Sequence, residues 1–172
     1  MYLKYGKHLA APRNPRIFEG KRLLIRRIPA RLPYSLVATF TEDNYIHEQS
    51  IESIFDLKAS PYFLLGVINS NLETFWAVNK YDMLQRKTHP QLRLYQIKEL
   101  PIPNATKEQQ GEVAELVKKL LHLANEEESD KAEIDVLNEK IDEKVMDLYG
   151  LSESEKTFVY EFLADEQDEE QA

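Results

Sequence analysis

An α+β fold is predicted for this chain: a small, twisted, mainly antiparallel sheet with a buried helix, followed by a C-terminal helical hairpin and a short terminal helix. Three observations predict it. Short apolar runs broken by Gly and Pro fill the first sixty residues. The run that starts at Pro61 is apolar on almost every helical face. Beyond Pro103, apolar residues recur at helical spacing. A chain of 172 residues, 42% of them hydrophobic, can bury one sizeable core or support a small domain with a helical appendage.

Pro12 and Pro15, within Ala-Pro-Arg-Asn-Pro-Arg, mark an extended or turning basic loop. Lys21 to Ile28, bounded by Gly20 and Pro29, is the first strand, and its Arg26 and Arg27 must project to opposite sides. Tyr34 to Thr41 is the second, with Tyr34, Leu36, Ala38 and Phe40 on one face. Between Tyr45 and Phe55 neither period fits well, and the polar β-tolerant surroundings of Ile46, Ile51, Ile54 and Phe55 favour strand. Ser60 as N-cap and Pro61 at the first helical position open a helix reaching Asn79. In it Tyr62, Phe75 and Trp76 read as core rather than as a stacking platform. Residues 80–91 form a polar, basic connection. Leu92, Leu94 and Ile97 suggest one more short strand before Pro101 and Pro103 end the mixed region.

Thr106 with Gln109 makes a capping box, and apolar residues follow at 113, 116, 117, 120, 121 and 124. A second helix from about Ser129 carries Ile134, Leu137, Ile141, Val145 and Leu148 and stops at Gly150. Ser152 with Glu155 starts a third, with Phe158, Val159, Phe162 and Leu163 on one face. The expected division is therefore a mixed α/β domain over 1–103, a helical hairpin plus terminal helix over 104–164, and an acidic disordered tail over 165–172.

Net charge is −8, but it is unevenly spread. Residues 1–100 hold 15 basic and 9 acidic groups, a balance of +6, whereas residues 101–172 hold 7 and 21, a balance of −14. Such asymmetry suggests two environments, one of them a polyanion, so overall acidity does not argue against nucleic acid. No apolar run approaches the roughly 20 residues of a membrane helix, and Met1-Tyr-Leu-Lys-Tyr-Gly has no secretion-signal pattern. The absence of cysteine excludes disulfides and thiolate metal sites and fits a cytoplasmic location.

Catalytic motifs are missing. No glycine pair has phosphate-cradle spacing, the four histidines are scattered, and no serine sits in a nucleophile elbow. There is no Asn-Pro-Pro-Tyr-like loop of amino-methyltransferases and no Pro-Asp with Glu-x-Lys nuclease core. Glu139-Lys140 and Glu143-Lys144 read as surface pairs at i to i+4 spacing. The chain by itself therefore reads as non-enzymatic, with no metal site and no cofactor of its own.

The positive features are basic and aromatic. Lys4, Lys7, Arg13, Asn14, Arg16, Lys21 and Arg22 interleave with Tyr2, Tyr5 and Phe18. Lys and Arg neutralise phosphates, and Arg forks also read guanine edges. Arg86, Lys87, Thr88, His89 and Arg93, with Gln85 and Gln91, form a second group of the side-chain types that base recognition favours. The plain alternative is a solvated charged face. Arg26 or Arg27 has its own alternative, a packing ion pair with a carboxylate of the acidic helices.

The order of motifs resembles a known family. Leu64-Leu-Gly-Val-Ile-Asn-Ser-Asn-Leu72, a basic loop, Ile97-Lys-Glu-Leu-Pro-Ile-Pro103 and Gln109 opening an amphipathic helix resemble the target recognition domains of restriction–modification systems. Tyr5-Gly through Ala11-Pro-Arg, and Lys21-Arg-Leu-Leu-Ile-Arg-Arg, resemble the start of the TaqI-like C-terminal specificity domain. Ile141-Asp-x-x-Val145 and Leu148-Tyr-Gly-Leu-Ser-Glu153 are similar to the helical close of type IIG enzymes. The resemblance implies sequence-specific recognition of double-stranded DNA, in the service of an N6-adenine methyltransferase often fused to a nuclease. S-adenosylmethionine and Mg would then belong only to catalytic domains absent from this chain, supplied by the same polypeptide or by a partner subunit. Strand-like sequence almost at Met1 favours a C-terminal fragment over a separate specificity subunit. No membrane partner is expected. The rival expectation is a protein–protein adaptor that docks through the acidic hairpin; a second rival, an active nuclease, finds no supporting carboxylate cluster.

Overall fold

The computed structural model describes residues 5, 6, 8–81, 90–126 and 130–171, with side chains described as far as residue 167. Among them the fold is α+β, with a three-stranded antiparallel sheet and six α-helices. The strands are β1 (Arg22–Arg26), β2 (Ala38–Thr41) and β3 (Ile51–Ile54), in the order β2-β1-β3. Each is shorter than the apolar runs suggested. The 45–50 stretch, where periodicity was weakest, is a loop and turn leading into β3. Leu23 lies opposite Phe40 and Ile54, and Ile25 opposite Ala38 and Glu52. With side chains alternating along a strand, Leu23 and Ile25 share one face, and both are fully buried there.

That face packs on α1 (Pro61–Ile68), and α2 (Asn71–Lys80) follows at once. The sequence suggested one helix from Pro61 to Asn79; the structure divides it at Asn69 and Ser70. Ser70 Oγ accepts from Glu73 N–H at 3.2 Å and so caps a new helix. The freed Asn69 amide binds the edge of β2, accepting from Ala38 N–H at 2.7 Å and donating to Ala38 C=O at 3.0 Å. The expected strand at 92–97 is also corrected. Residues Leu94–Glu99 form α3, started by Gln96 Oε1 accepting from Arg93 N–H at 2.7 Å, with Gln96 and Ile97 buried. Leu92 alone keeps a strand-like link, its N–H donating to Arg27 C=O at 2.7 Å.

The helices α4 (Lys107–Ala124) and α5 (Lys131–Leu148) form the antiparallel pair that covers α1 from the side away from the sheet. Thr106 and Gln109 make the expected capping box. Val113, Val117, Ile141 and Val145 are buried in one cluster with Leu23, Ile25, Phe63 and Val67. At Gly66 the helices touch so closely that a Cβ would meet Val113 Cγ1 at 2.6 Å and Val117 Cγ2 at 3.1 Å. The last helix, α6 (Glu153–Gln171), packs on α2 around Val78, Met146, Val159 and Leu163. Its helical backbone continues past Ala164, through residues of which Glu and Gln are good helix formers. Lys156, nearly enclosed, meets Glu143, Asp147 and Glu153 at 2.8–2.9 Å, and these hydrogen-bonded carboxylates hold its ammonium pKa above the usual lysine value. Among the described residues no helix is long and apolar enough to cross a membrane.

Two buried acids join the mixed part to the hairpin. Asp142 Oδ1 accepts from Asn71 N–H and Oδ2 from the Tyr34 hydroxyl, both at 2.8 Å. Burial pushes its pKa up from 3.8 to about 6, against the opposing pull of those two donors. Glu73 is 1% exposed, with Oε1 at 2.7 Å from Tyr149 Oη, which also lies 2.6 Å from Pro101 C=O. Glu73 Oε2 has no hydrogen-bond partner among the described residues, and burial raises the pKa from 4.5 to about 8. A neutral Glu73 fits this geometry: its acid proton goes to Tyr149 Oη, and the tyrosine proton goes to Pro101.

Two outcomes are expected. Gly66→Ala overpacks the α1–α4 contact and lowers stability by about 1–3 kcal/mol, read as a lower urea midpoint; an unchanged midpoint would show that the helices separate without cost. Because the folded state binds protons more tightly than the unfolded chain at both acids, stability falls as pH rises from about 4 towards 8. Glu73→Gln, which keeps the neutral shape, should remove the part of that fall between pH 6 and 8 in denaturation midpoints.

Candidate nucleic-acid interface

The N-terminal basic segment is pinned by aromatic contacts. Phe18, 4% exposed at the end of a 3-10 turn (Pro15–Phe18), makes T-shaped contacts with Tyr5 and His47 at ring distances of 4.9 and 5.1 Å. Tyr5 Oη donates to Arg13 C=O at 2.8 Å, and Ser53 Oγ, on the sheet face away from the core, donates to Ile17 C=O at 2.7 Å. Asn14 Oδ1 accepts from Arg16 N–H at 3.0 Å, so it caps the turn while the residue remains exposed.

Asn14 and Arg22 aside, the expected contact residues fall into three groups. Arg16 and Lys21 are exposed on an open groove of about 520 Å³ floored by Phe55 and bordered by Gly20, Asp56 and Pro61. The Arg16 guanidinium lies 5.6 Å from the Phe55 ring centre and 3.4 Å from Asp56, and Lys21 lies 3.4 Å from Glu42. Arg13 and Arg93 lie towards the opposite end of β1. There Arg13 Nη2 is 3.6 Å from Glu52, its Nη1 donates to Glu48 C=O at 3.4 Å, and Arg93 is exposed next to Leu92. Lys4, Lys7, Arg86, Lys87, Thr88 and His89 lie outside the described residues.

Arg22 requires a correction. It is 0% exposed, donating through Nη1 to Gly20 C=O at 2.7 Å and through Nη2 to Asp43 C=O at 2.7 Å and Tyr45 C=O at 3.4 Å. Gly20 adopts φ +68°, a conformation glycine takes without strain, and the turn there offers its carbonyl to the guanidinium. Arg22 is a structural cation that ties the 43–45 loop to β1, and no phosphate can reach it.

The sequence reading left two neighbours out of the contact set. Arg26 is exposed at the end of β1 and has no ion-pair partner among the described residues. Arg27, on the opposite face, donates through Nε to Leu92 C=O and through Nη1 to Gln49 C=O, both at 3.1 Å, with Glu52 at 3.8 Å. It is thus the ion-paired arginine of the two, but its carboxylate comes from β3 and not from the acidic helices. Alternation along β1 was the available signal that the two arginines serve different faces. Glu139 and Glu143 show no i to i+4 pairs with lysine; Glu143 instead meets Lys156, and Lys144 meets Glu112 of α4 at 2.6 Å. No group of three or more His, Asp or Glu that could hold a metal ion occurs among the described residues.

Residues 1–102 match the model of the TaqI-like C-terminal specificity domain. The chain belongs to that family. The matched stretch of the TaqI-like domain holds the sheet, α1, α2 and α3, and with them the whole basic part of the sequence. A solved structure of similar fold is that of the type IIL restriction–modification enzyme MmeI in complex with DNA. Its TM-score is 0.58 at 16% identity, over 88% of this chain and 21% of that one. This TaqI-like chain therefore spans about a fifth of the length of MmeI. A search of curated proteins finds no match.

Removing the buried guanidinium with Arg22→Met leaves the Gly20, Asp43 and Tyr45 carbonyls without their donor. It should lower stability by about 2–3 kcal/mol. Calorimetric or urea unfolding reads the loss, and a wild-type midpoint would mean that water replaces the arginine freely.

Proposed function

We propose that this chain is the sequence-specific double-stranded DNA recognition part of a restriction–modification enzyme and has no catalytic activity by itself. One observation carries the reading: the stretch that matches a specificity-domain family is the same stretch that holds the positive balance, +6 over residues 1–100. Exposed cations at both ends of β1 suit a long polyanion better than a small ligand. The partner catalytic functions are an N6-adenine methyltransferase and a nuclease of the type IIG kind, in the same polypeptide or in a partner subunit. They would supply S-adenosylmethionine and Mg chemistry, in a cytoplasmic setting. The chain contributes binding and orientation.

The hairpin carries the opposite charge, and its apolar residues Val113, Val117, Ile141 and Val145 are already buried against α1. This supports a covering role that leaves the acidic outer faces turned away from DNA.

Fluorescence anisotropy of the full chain with a random duplex tests the proposal. Log affinity should fall linearly with log salt, by about 0.9 for each phosphate neutralised, giving a slope of several units. A slope near zero overturns the reading, and metal-dependent nicking of the duplex overturns the non-catalytic assignment.

A further inference from the structure

Parts of the chain far apart in sequence are joined at the C-terminal end of β1, and one residue, Arg27, makes most of the connections. Arg27 N–H donates to Ser50 C=O at 2.8 Å, and its own carbonyl accepts from Leu92 N–H at 2.7 Å. Leu92 thus takes the ladder position beside β1 from which the 48–50 turn has already diverged. The guanidinium repeats the pattern from above, donating to Leu92 C=O and to Gln49 C=O. Glu52, with its side chain 16% exposed, lies between Arg27 at 3.8 Å and Arg13 at 3.6 Å, and Arg13 reaches Glu48 C=O as well. Three parts of the chain are held by this one arrangement: Arg13, the 48–50 turn and Leu92.

Around it stand cations with different duties. Arg27 is only 20% exposed and is committed to carbonyls and Glu52. Arg26 and Arg93, each one residue from a member of the clamp, are exposed and have no ion-pair partner among the described residues. At the other end of β1, by contrast, Arg16 and Lys21 each face a carboxylate. The end of the sheet with free cations is the better polyanion surface.

We propose that the C-terminal end of β1 is where this chain grips DNA, with Arg26 and Arg93 on phosphates and Arg27 as the positioning residue that holds their segments together. The proposal rests on the DNA-recognition reading and adds to it the site and a division of labour. Arg27 touches no nucleic acid in this scheme. The planar fork matters, since Nε and Nη1 meet the Leu92 and Gln49 carbonyls from two fixed positions in one plane, whereas an ammonium is a single point on a flexible stem.

The test uses the full chain and random duplex DNA, with salt titrations of Arg26→Ala, Arg93→Ala, Arg27→Lys, Arg27→Met and Arg27→Met/Arg93→Ala, and a thermal melt of each. Arg26→Ala and Arg93→Ala should each lower the salt slope by about 0.9 while leaving the melt in place. Arg27→Lys keeps the charge, so a role in charge alone predicts a wild-type slope; the positioning role predicts a loss of roughly 0.9, as for the Arg93 contact, because Arg26 is held by the pairing of β1 itself. Adding Arg93→Ala to Arg27→Met should cost nothing further, because that contact is already lost. If Arg27→Met does not fold, the Arg27→Lys slope decides. Should wild-type protein fail to bind any duplex at low salt, the DNA reading itself fails. Should it bind with a steep slope that Arg26→Ala and Arg93→Ala leave unchanged, only the site is overturned. A wild-type slope for Arg27→Lys, or an additive double variant, removes the positioning role.

Discussion

Because α1 has apolar residues on almost every side, it cannot lie at a surface, and the rest of the molecule is arranged to cover it. Phe63, Leu65, Val67 and Ile68 are all at or below 3% exposure. A three-stranded sheet is wide enough to cover one side of such a helix and leaves the other side bare. The antiparallel pair α4–α5 covers that side, coming close enough to require glycine at position 66. Strand β1 is central for the same reason: Leu23 and Ile25 are its contribution to that enclosure, and its two neighbours follow from the need to pair its edges.

The arginines of β1 show how much of a nominal charge is used inside the molecule. Arg22 and Arg27 both donate to backbone carbonyls of loops that have no regular ladder of their own. A guanidinium has five donors in a fixed plane and suits this task. The field that reaches solvent from this region therefore comes from fewer groups than the sequence contains. It is further trimmed by Asp56, Glu42 and Glu52, which stand beside Arg16, Lys21 and Arg13.

The class of fold, the buried helix, the hairpin and its capping box were legible because each depends on local periodicity or on a cap three residues from its partner. The break at Asn69–Ser70 had a local signal, since Asn69, Ser70 and Asn71 interrupt the apolar run and Ser70 stands three residues before Glu73. It is masked by the helical spacing that resumes at Leu72, Phe75 and Trp76, and the bond of the Asn69 amide to Ala38, 31 residues earlier, has no local signal. Residues 92–97 were misread for a related reason: Leu92, Leu94 and Ile97 fit a strand pattern, but only Leu92 meets a ladder partner, while Gln96 folds back on Arg93. Of the contact residues named from sequence, Arg13, Arg16, Lys21 and Arg93 are at least partly exposed and Arg22 is not. Basic composition could not separate them, because burial of Arg22 depends on carbonyls of a distant loop. Arg26 was separable in principle by the two-residue alternation of β1.

The shared enclosure of α1 bears on how such a protein could acquire a new preference. The stretch that matches the family ends at residue 102, yet the side of α1 opposite the sheet is closed by Val113, Val117, Ile141 and Val145 from beyond it. Grafting residues 1–102 onto a foreign scaffold would bring an uncovered helix with them. Evolution and engineering alike must then move the helical pair together with the sheet, or alter side chains on the rim while leaving the interior alone.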